Sequence, residues 1–81
     1  MKILASYFGG LRARLGLDEE WLSLAPGSSA EEAARLACAR LGPEWLAALR
    51  LAVNDEFVPG RTPLHDGDRL ALLPPVSGGR V

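Results

Sequence analysis

Residues 29–41 read Ser-Ala-Glu-Glu-Ala-Ala-Arg-Leu-Ala-Cys-Ala-Arg-Leu and carry the clearest structural signal in the chain. Ser29 is a favourable N-cap, and the Glu32 side chain can accept a hydrogen bond from the Ser29 amide, which completes a capping box. Apolar residues then recur at helical spacing, namely Ala33, Leu36, Ala37 and Leu41. This segment predicts the main helix, ended by Gly42-Pro43, in which burial of Leu36 and Leu41 contributes about 1.5–3 kcal/mol each.

Short strands and helical turns are predicted on both sides of this helix. Residues 2–8 form a first strand, and residues 18–24 form a second strand with Trp21 as its largest apolar anchor. Between these strands, residues 11–15 form a helical turn or two that ends at Gly16. After the main helix, Pro43 opens a short second helix.

The remaining strands follow at a period of two. Residues 51–53 and 57–58 flank a tight turn, and residues 69–73 form the final strand after a turn with Asp66-Gly67 at its tip. The order of strand, strand, helix and strands predicts an α+β fold, with one main helix packed across a mixed sheet. This β-grasp-like order places a domain at residues 1–76 and a flexible tail at residues 77–81.

Composition and charge exclude several classes of protein. A chain of 81 residues has room for one small domain, and its 48% hydrophobic and 23% charged residues are typical of a globular protein. Nine basic and ten acidic residues give a net charge of −1, which does not favour binding to nucleic acid or to an anionic membrane. Because no apolar run approaches the roughly 20 residues that cross a bilayer, and no signal peptide is recognisable, we expect a cytoplasmic protein.

Isolated reactive side chains do not indicate a catalytic or metal site. Cys38 has no second cysteine to pair with, and one Cys with one His cannot make a four-ligand zinc site. We interpret Cys38 as a buried thiol and His65 as an exposed loop residue, while Asp66 and Asp68 are typical turn formers. The sequence therefore predicts no metal and no bound cofactor.

The C-terminal segment is the most informative part of the chain for function. Residues 72–79 read Leu-Leu-Pro-Pro-Val-Ser-Gly-Gly, and the two glycines lack the Cβ atoms that would obstruct entry into a narrow site of another protein. Pro74-Pro75 stiffens the base of this tail and limits the entropy lost on insertion. We predict that the residues before the last glycine bind a partner: Leu72, Leu73, Pro74, Pro75, Val76, Ser77 and Gly78.

Several segments resemble the molybdopterin synthase small subunit, which belongs to the ubiquitin-like sulfur carriers. They are Ala52-Val53-Asn54 with the turn after it, Pro63-Leu64-His65-Asp66-Gly67-Asp68, and residues 72–79, which are the most specific. The resemblance also includes Tyr7-Phe8-Gly9-Gly10-Leu11-Arg12. It covers nearly the whole chain, although residues 18–49 match only in their pattern of elements.

This resemblance implies a β-grasp, ubiquitin-like fold and a sulfur-carrier role in molybdenum cofactor synthesis. An adenylating partner enzyme would use ATP to activate the carboxylate of Gly79, and a sulfur donor would convert the acyl adenylate to a thiocarboxylate. The tail would then enter the large subunit of molybdopterin synthase and donate sulfur to cyclic pyranopterin monophosphate. The chain would be a non-catalytic small subunit, because the catalytic side chains would lie on its partners.

The last two residues depart from the family pattern. Chains of the family end at the second glycine, whereas this sequence continues with Arg80-Val81. A protease removes this dipeptide, as in ubiquitin-like precursors, or the dipeptide begins a fused large-subunit domain. We expect removal of Arg80-Val81 before Gly79 is activated.

Other classes of function stay open. A thiamine-type sulfur carrier shares the fold and the Gly-Gly end, although Pro74-Pro75-Val76 and Ala52-Val53-Asn54 favour the molybdopterin branch. A ubiquitin-like modifier would join Gly79 to lysines of target proteins through the same activated acyl chemistry. If Arg80-Val81 were never removed, the chain would be an interaction module that is not activated.

Overall fold

The computed structural model describes residues 1–75, so Val76 and the expected tail at residues 77–81 lie outside the described part of the chain. Residues 1–75 contain five strands and three short helices. The elements are β1 (Lys2–Tyr7), α1 (Gly9–Leu15), β2 (Glu19–Ser23), α2 (Ala30–Ala37), α3 (Pro43–Ala48), β3 (Arg50–Val53), β4 (Glu56–Phe57) and β5 (Arg69–Leu73).

The strands form one mixed sheet in the order β2-β1-β5-β3-β4. Strand β1 is antiparallel to β2 and parallel to β5, while β3 is antiparallel to both β5 and β4. The chain between β1 and β5 carries the three helices, so the last strand returns to the middle of the sheet. The predicted α+β, β-grasp arrangement is confirmed.

The core lies between the helices and one face of the sheet. Strand β1 sends Ile3, Ala5 and Tyr7 to this inner face, where β5 adds Leu70 and Leu72, and all five side chains are at most 1% exposed. Helix α2 covers them with small buried side chains, Ala30, Ala33, Ala34 and Ala37. Because alanine has only a methyl group, the helix backbone can lie close to the sheet.

The capping box predicted at the start of α2 is confirmed. The Glu32 amide donates a hydrogen bond to Ser29 Oγ at 3.2 Å, and the Ser29 amide donates to Glu32 Oε1 at 2.8 Å. The helix ends earlier than predicted, at Ala37. Beyond it the backbone tightens into turns, in which the Ala39 amide bonds to Leu36 O at 3.4 Å and the Leu41 amide to Cys38 O at 2.9 Å, each three residues back.

The expected burial of Leu36 is wrong. Its side chain is 50% exposed, and Leu41 is only partly buried at the edge of the core. The four buried alanines define the face of α2 that packs on the sheet, and Leu36 lies roughly 100° around the helix axis from the middle of that face. The alanine side chains therefore make the contact with the sheet that the sequence assigned to leucine.

The expected anchoring role of Trp21 is also wrong, since its side chain is 62% exposed. Leu4 and Trp21 are directly opposite each other on β1 and β2, so both point to the outer face, away from the helices. The inner face of β2 instead carries Leu22 and Glu20, whose carboxylate accepts a hydrogen bond from the Tyr7 hydroxyl at 2.5 Å. A half-buried glutamate is tolerated there because this hydrogen bond satisfies it.

The turns before and after β4 are joined by a polar network that fixes the start of β5. The backbone at Asn54 and Asp55 has positive φ, as a tight hairpin turn requires. Asp68 accepts hydrogen bonds from the His65 amide at 2.7 Å and from Asn54 Nδ2 at 3.0 Å. The bond from the His65 amide is the main reason why the pKa of Asp68 lies below its usual value.

Candidate functional site at the base of the C-terminal tail

The tail begins where the central strand β5 ends at Leu73. Leu72 is opposite Tyr7 on β1 and Leu51 on β3, and its side chain is 0% exposed. This burial corrects the expectation that the Leu72 side chain contacts a partner, because the side chain is part of the core. Leu73 is half-buried and points to the opposite face of the sheet.

Beyond β5, the tail base packs against the start of α1. Pro74 is half-buried and Pro75 is exposed. A Cβ atom built on Gly9 would lie 3.3 Å from Pro74 Cγ, and Gly9 has a φ of +56°. Both the close approach and the left-handed backbone favour glycine, so the Gly9 backbone is shaped to receive the Pro74 ring.

A second wall of the tail base comes from α3. Trp45 lies beside Gly10, whose added Cβ would be 3.8 Å from the Trp45 ring, and the Arg14 guanidinium lies 5.4 Å from the centroid of that ring. Gly10 and Trp45 border an open cleft of about 300 Å³, whose other lining residues are Glu44, Ala48, Pro74 and Pro75. The two prolines thus leave the domain between α1 and α3, along a path that folded elements define.

The outer face of the sheet is partly apolar next to the tail base. The strand registers place Leu73 beside Arg50, and Phe57 beside Ala52, on this face. Phe57 is 59% exposed, and the Arg50 guanidinium lies 4.2 Å from the centroid of its ring. We call the set Leu73, Ala52, Ala71 and Phe57 the outer apolar patch. Sequence reasoning missed Phe57, although its position opposite Ala52 in a predicted hairpin could have indicated it.

The reactive side chains in residues 1–75 are placed for structure. Burial raises the pKa of the Cys38 thiol, which disfavours the thiolate that a nucleophile needs. Burial and the hydrogen bond to Glu20 raise the pKa of Tyr7. His65 is exposed, and in the described part of the chain no group of three or more His, Cys, Asp or Glu side chains could hold a metal ion.

None of the helices in residues 1–75 is long and apolar enough to span a membrane. The described residues provide the base of the tail, which packs against α1 and borders α3, and a partly apolar surface beside it.

A family model described as the ThiS family matches residues 5–79. This chain belongs to the ThiS family. The match includes both glycines of the tail and ends at Gly79, so the membership covers the folded domain and the segment beyond it.

Individual relatives agree with this membership in the ThiS family. The chain is 31% identical over 78 residues to the molybdopterin synthase sulfur carrier subunit of Haemophilus influenzae, which covers 90% of this chain and 94% of the relative. A structure of the complex of subunits 1 and 2 of the molybdopterin-converting factor from Helicobacter pylori is similar with a TM-score of 0.66 and 29% identity. It covers 98% of this chain and 100% of the matched one.

The fold is also that of ubiquitin. The ubiquitin of Caldiarchaeum subterraneum matches with a TM-score of 0.67 over 98% of each chain, and its 23% identity makes this a likeness of fold alone. The resemblance to the small subunit of molybdopterin synthase, inferred from the sequence, is confirmed by the relatives.

The residues predicted to react or to bind at the end of the tail stay predictions. Val76, Ser77, Gly78 and Gly79 lie outside the described residues. The structure brings Leu73, Pro74 and Pro75 together at the tail base and withdraws Leu72 into the core.

Proposed function

We propose that this member of the ThiS family is the sulfur carrier of a molybdopterin synthase. The observation that carries the proposal is the course of β5, which runs through the middle of the sheet and directly into Pro74-Pro75 at the surface. Gly79 follows four residues after Pro75, so an extended tail reaches at most about 14 Å from the domain. That reach suits a carboxylate that must react inside another protein.

The sulfur-carrier chemistry rests on the terminal carboxylate of the tail. A carboxylate oxygen of Gly79 attacks the α-phosphorus of ATP on an adenylating enzyme, and pyrophosphate leaves. A sulfur donor at the oxidation level of sulfide then displaces AMP and leaves a thiocarboxylate. The thiocarboxylate sulfur is transferred to cyclic pyranopterin monophosphate, and water restores the carboxylate. The carrier needs no bound cofactor, because its activating partner uses the ATP.

Activation at Gly79 requires that its carboxylate be free. We propose that Arg80-Val81 are removed first, and the end of the family match at Gly79 supports this position for the reacting carboxylate. The side chain of Val81, two residues beyond Gly79, would also widen the tail and obstruct its entry into a narrow active site.

The large subunit of molybdopterin synthase is the proposed main partner. The Helicobacter pylori relative is a complex of subunits 1 and 2 of the molybdopterin-converting factor, which supports a two-subunit assembly for this chain. The outer apolar patch is next to the tail base and includes the 59% exposed Phe57. We assign this patch to docking, because apolar surface beside the tail would hold the partner while the tail enters its active site.

The relatives also bear on the alternative functions. The Haemophilus influenzae relative carries the name of a molybdopterin synthase sulfur carrier, which favours that pathway over the thiamine-type alternative. A protein modifier would form a ladder of high-mass conjugates in native lysate, whereas a carrier would appear as one low-mass species with a thiocarboxylate.

Substitution of the reacting glycine tests the proposal. Gly79→Leu is expected to abolish sulfur transfer in a reconstituted reaction with the large subunit and the activating enzyme, and to leave the circular dichroism spectrum unchanged because residue 79 follows the folded domain. Leu36→Ala is the matched control, because it truncates a half-exposed leucine on α2 and should transfer sulfur as the unchanged chain does. A Gly79→Leu chain that transfers sulfur at the normal rate would show that the proposal is wrong.

A further inference from the structure

Strand β2 forms one edge of the sheet, and the backbone groups of alternate residues on this edge have no hydrogen-bond partner among residues 1–75. Tyr7 N donates to Asp18 O at 2.8 Å, and Leu24 N donates to Met1 O at 2.8 Å, which identifies the hydrogen-bonded pairs of the β1–β2 ladder. Ile3 with Leu22 and Ala5 with Glu20 follow as further bonded pairs, because such pairs alternate in an antiparallel ladder. The backbone groups of Glu19, Trp21 and Ser23 therefore point away from the sheet.

Two large apolar side chains are exposed beside this edge. Trp21 is in the middle of β2 and is 62% exposed, and the half-exposed Leu36 of α2 lies along the same strand. Both border an open cleft of about 280 Å³ together with Glu20, Leu22, Ser23, Ala37 and Arg40. Exposed apolar surface beside unpaired strand groups is typical of a strand-pairing site.

We propose that β2 pairs antiparallel with β2 of a second copy of this chain, about a two-fold axis at Trp21. In this register Trp21 is opposite Trp21 of the second copy, and Glu19 is opposite Ser23 of the second copy. These are the residues whose backbone groups point outward, so each of these pairs exchanges two ladder hydrogen bonds. The two sheets become one continuous sheet, and the central tryptophans bury each other next to Leu4.

Charge complementarity favours a second copy as the occupant of this edge. Lys2 is opposite Ser23 on the neighbouring strand β1. In the proposed register, Glu19 of the second copy is on the other side of that same Ser23, on the same face of the sheet. Because serine is small, Lys2 of one copy can reach Glu19 of the other, and the two-fold axis repeats the pair. A register shifted by two residues would lose both pairs.

The paired assembly keeps both tails available. Strand β5 is parallel to β1, and β1 of one copy is antiparallel to β1 of the other across the axis. The two β5 strands therefore end on opposite borders of the continuous sheet. The outer apolar patch lies on β5, β3 and β4, and β1 separates these strands from β2, so this pairing does not depend on the sulfur-carrier function.

Sedimentation equilibrium of the full chain over a wide range of concentration tests the proposal. We expect a monomer–dimer equilibrium whose dissociation constant rises at least about tenfold in Trp21→Ser, since buried aromatic side chains dominate such contacts. Phe57→Ser is the matched control, because Phe57 is equally exposed on the opposite edge strand, and it should leave the dissociation constant unchanged. A purely monomeric chain, or equal weakening by both substitutions, would overturn the proposal.

A charge exchange tests the register itself. Glu19→Lys should weaken the dimer, because it faces Lys2 of the second copy with a like charge, and the double substitution Glu19→Lys with Lys2→Glu should restore it. Both residues are exposed, so the monomer fold should survive, as circular dichroism will verify. Failure of the double substitution to restore the dimer would show that the copies do not pair in this register.

Discussion

Leu72 and Leu73 are neighbours on β5, and their truncation to alanine should affect different properties of the protein. Leu72 is fully buried on the inner face, and Leu73 is half-buried on the outer face beside the tail. We predict that Leu72→Ala lowers stability without changing the binding surface, whereas Leu73→Ala lowers the affinity for the large subunit with a smaller effect on stability. The pair is matched, because both variants remove the same atoms from adjacent positions.

The burial of each side chain gives the expected magnitude. Truncation of a fully buried leucine to alanine costs about 2–5 kcal/mol, because the cavity adds to the lost transfer energy. A domain of this size has a free energy of unfolding of about 4–12 kcal/mol, so Leu72→Ala removes a large share of it. The melting temperature should fall by at least about 8 °C. For the half-buried Leu73 we expect a cost of about 1 kcal/mol.

Urea and thermal unfolding followed by circular dichroism will measure stability, and calorimetric titration with the large subunit will measure affinity. The titration must be performed well below the melting temperature of Leu72→Ala. The folded Leu72→Ala chain should bind normally, and Leu73→Ala should lose at least about 1 kcal/mol of binding free energy. The assignment of the two faces would be refuted if Leu72→Ala unfolded like the unchanged chain and bound weakly, or if Leu73→Ala lost as much stability as Leu72→Ala.

Two further predictions concern the start of β5 and the tail base. The pKa of Asp68 is lower in the folded protein than its unfolded value near 3.9, so its carboxylate stabilises the fold above about pH 4. This stability is lost as pH falls through the folded pKa. The urea midpoint of Asp68→Asn should therefore fall less steeply below about pH 4 than that of the unchanged chain. Gly9→Ala should cost about 1–3 kcal/mol in urea unfolding, because Gly9 has positive φ and touches Pro74, whereas Gly10→Ala, which has room for a methyl group, should be nearly neutral. Equal costs at both glycines would contradict the tail-base contact.

Much of the fold was predictable, because its signals are local. The capping box at Ser29 and Glu32, the hairpin turn at Asn54 and the final strand are each encoded within a few residues. The burial of Leu36 was predicted wrongly, because both leucines and alanines recur at helical spacing and the sequence does not say which stripe meets the sheet. The sheet is covered by the alanine stripe, which permits the closest approach of the helix backbone.

The orientation of β2 could not be read from local pattern. Residues 19–23 contain Trp21 and Leu22 side by side, and alternation requires that only one of them face the core. The hydrogen bond between Tyr7 and Glu20 places Glu20 and Leu22 on the inner face, and this contact joins residues from two strands. Such a pairing depends on register, which the sequence alone does not fix.

The candidate site was predictable in its chemistry and not in its surroundings. The Pro74-Pro75 base and the glycines of the tail were evident from the sequence. The contact of Gly9 with Pro74 and the wall at Trp45 join segments far apart in the chain, so only the fold reveals them. Leu72 is a further example, since the sequence shows that it is apolar but does not show that its side chain points into the core.

The most direct test of the carrier function is the intact mass of the untagged protein purified from its native cells under non-reducing, neutral conditions. We predict a species that ends at Gly79 and in which one terminal carboxylate oxygen is replaced by sulfur, with fragmentation placing the sulfur on that residue. A population that always retains Arg80-Val81 and carries only an unmodified carboxylate would contradict the account.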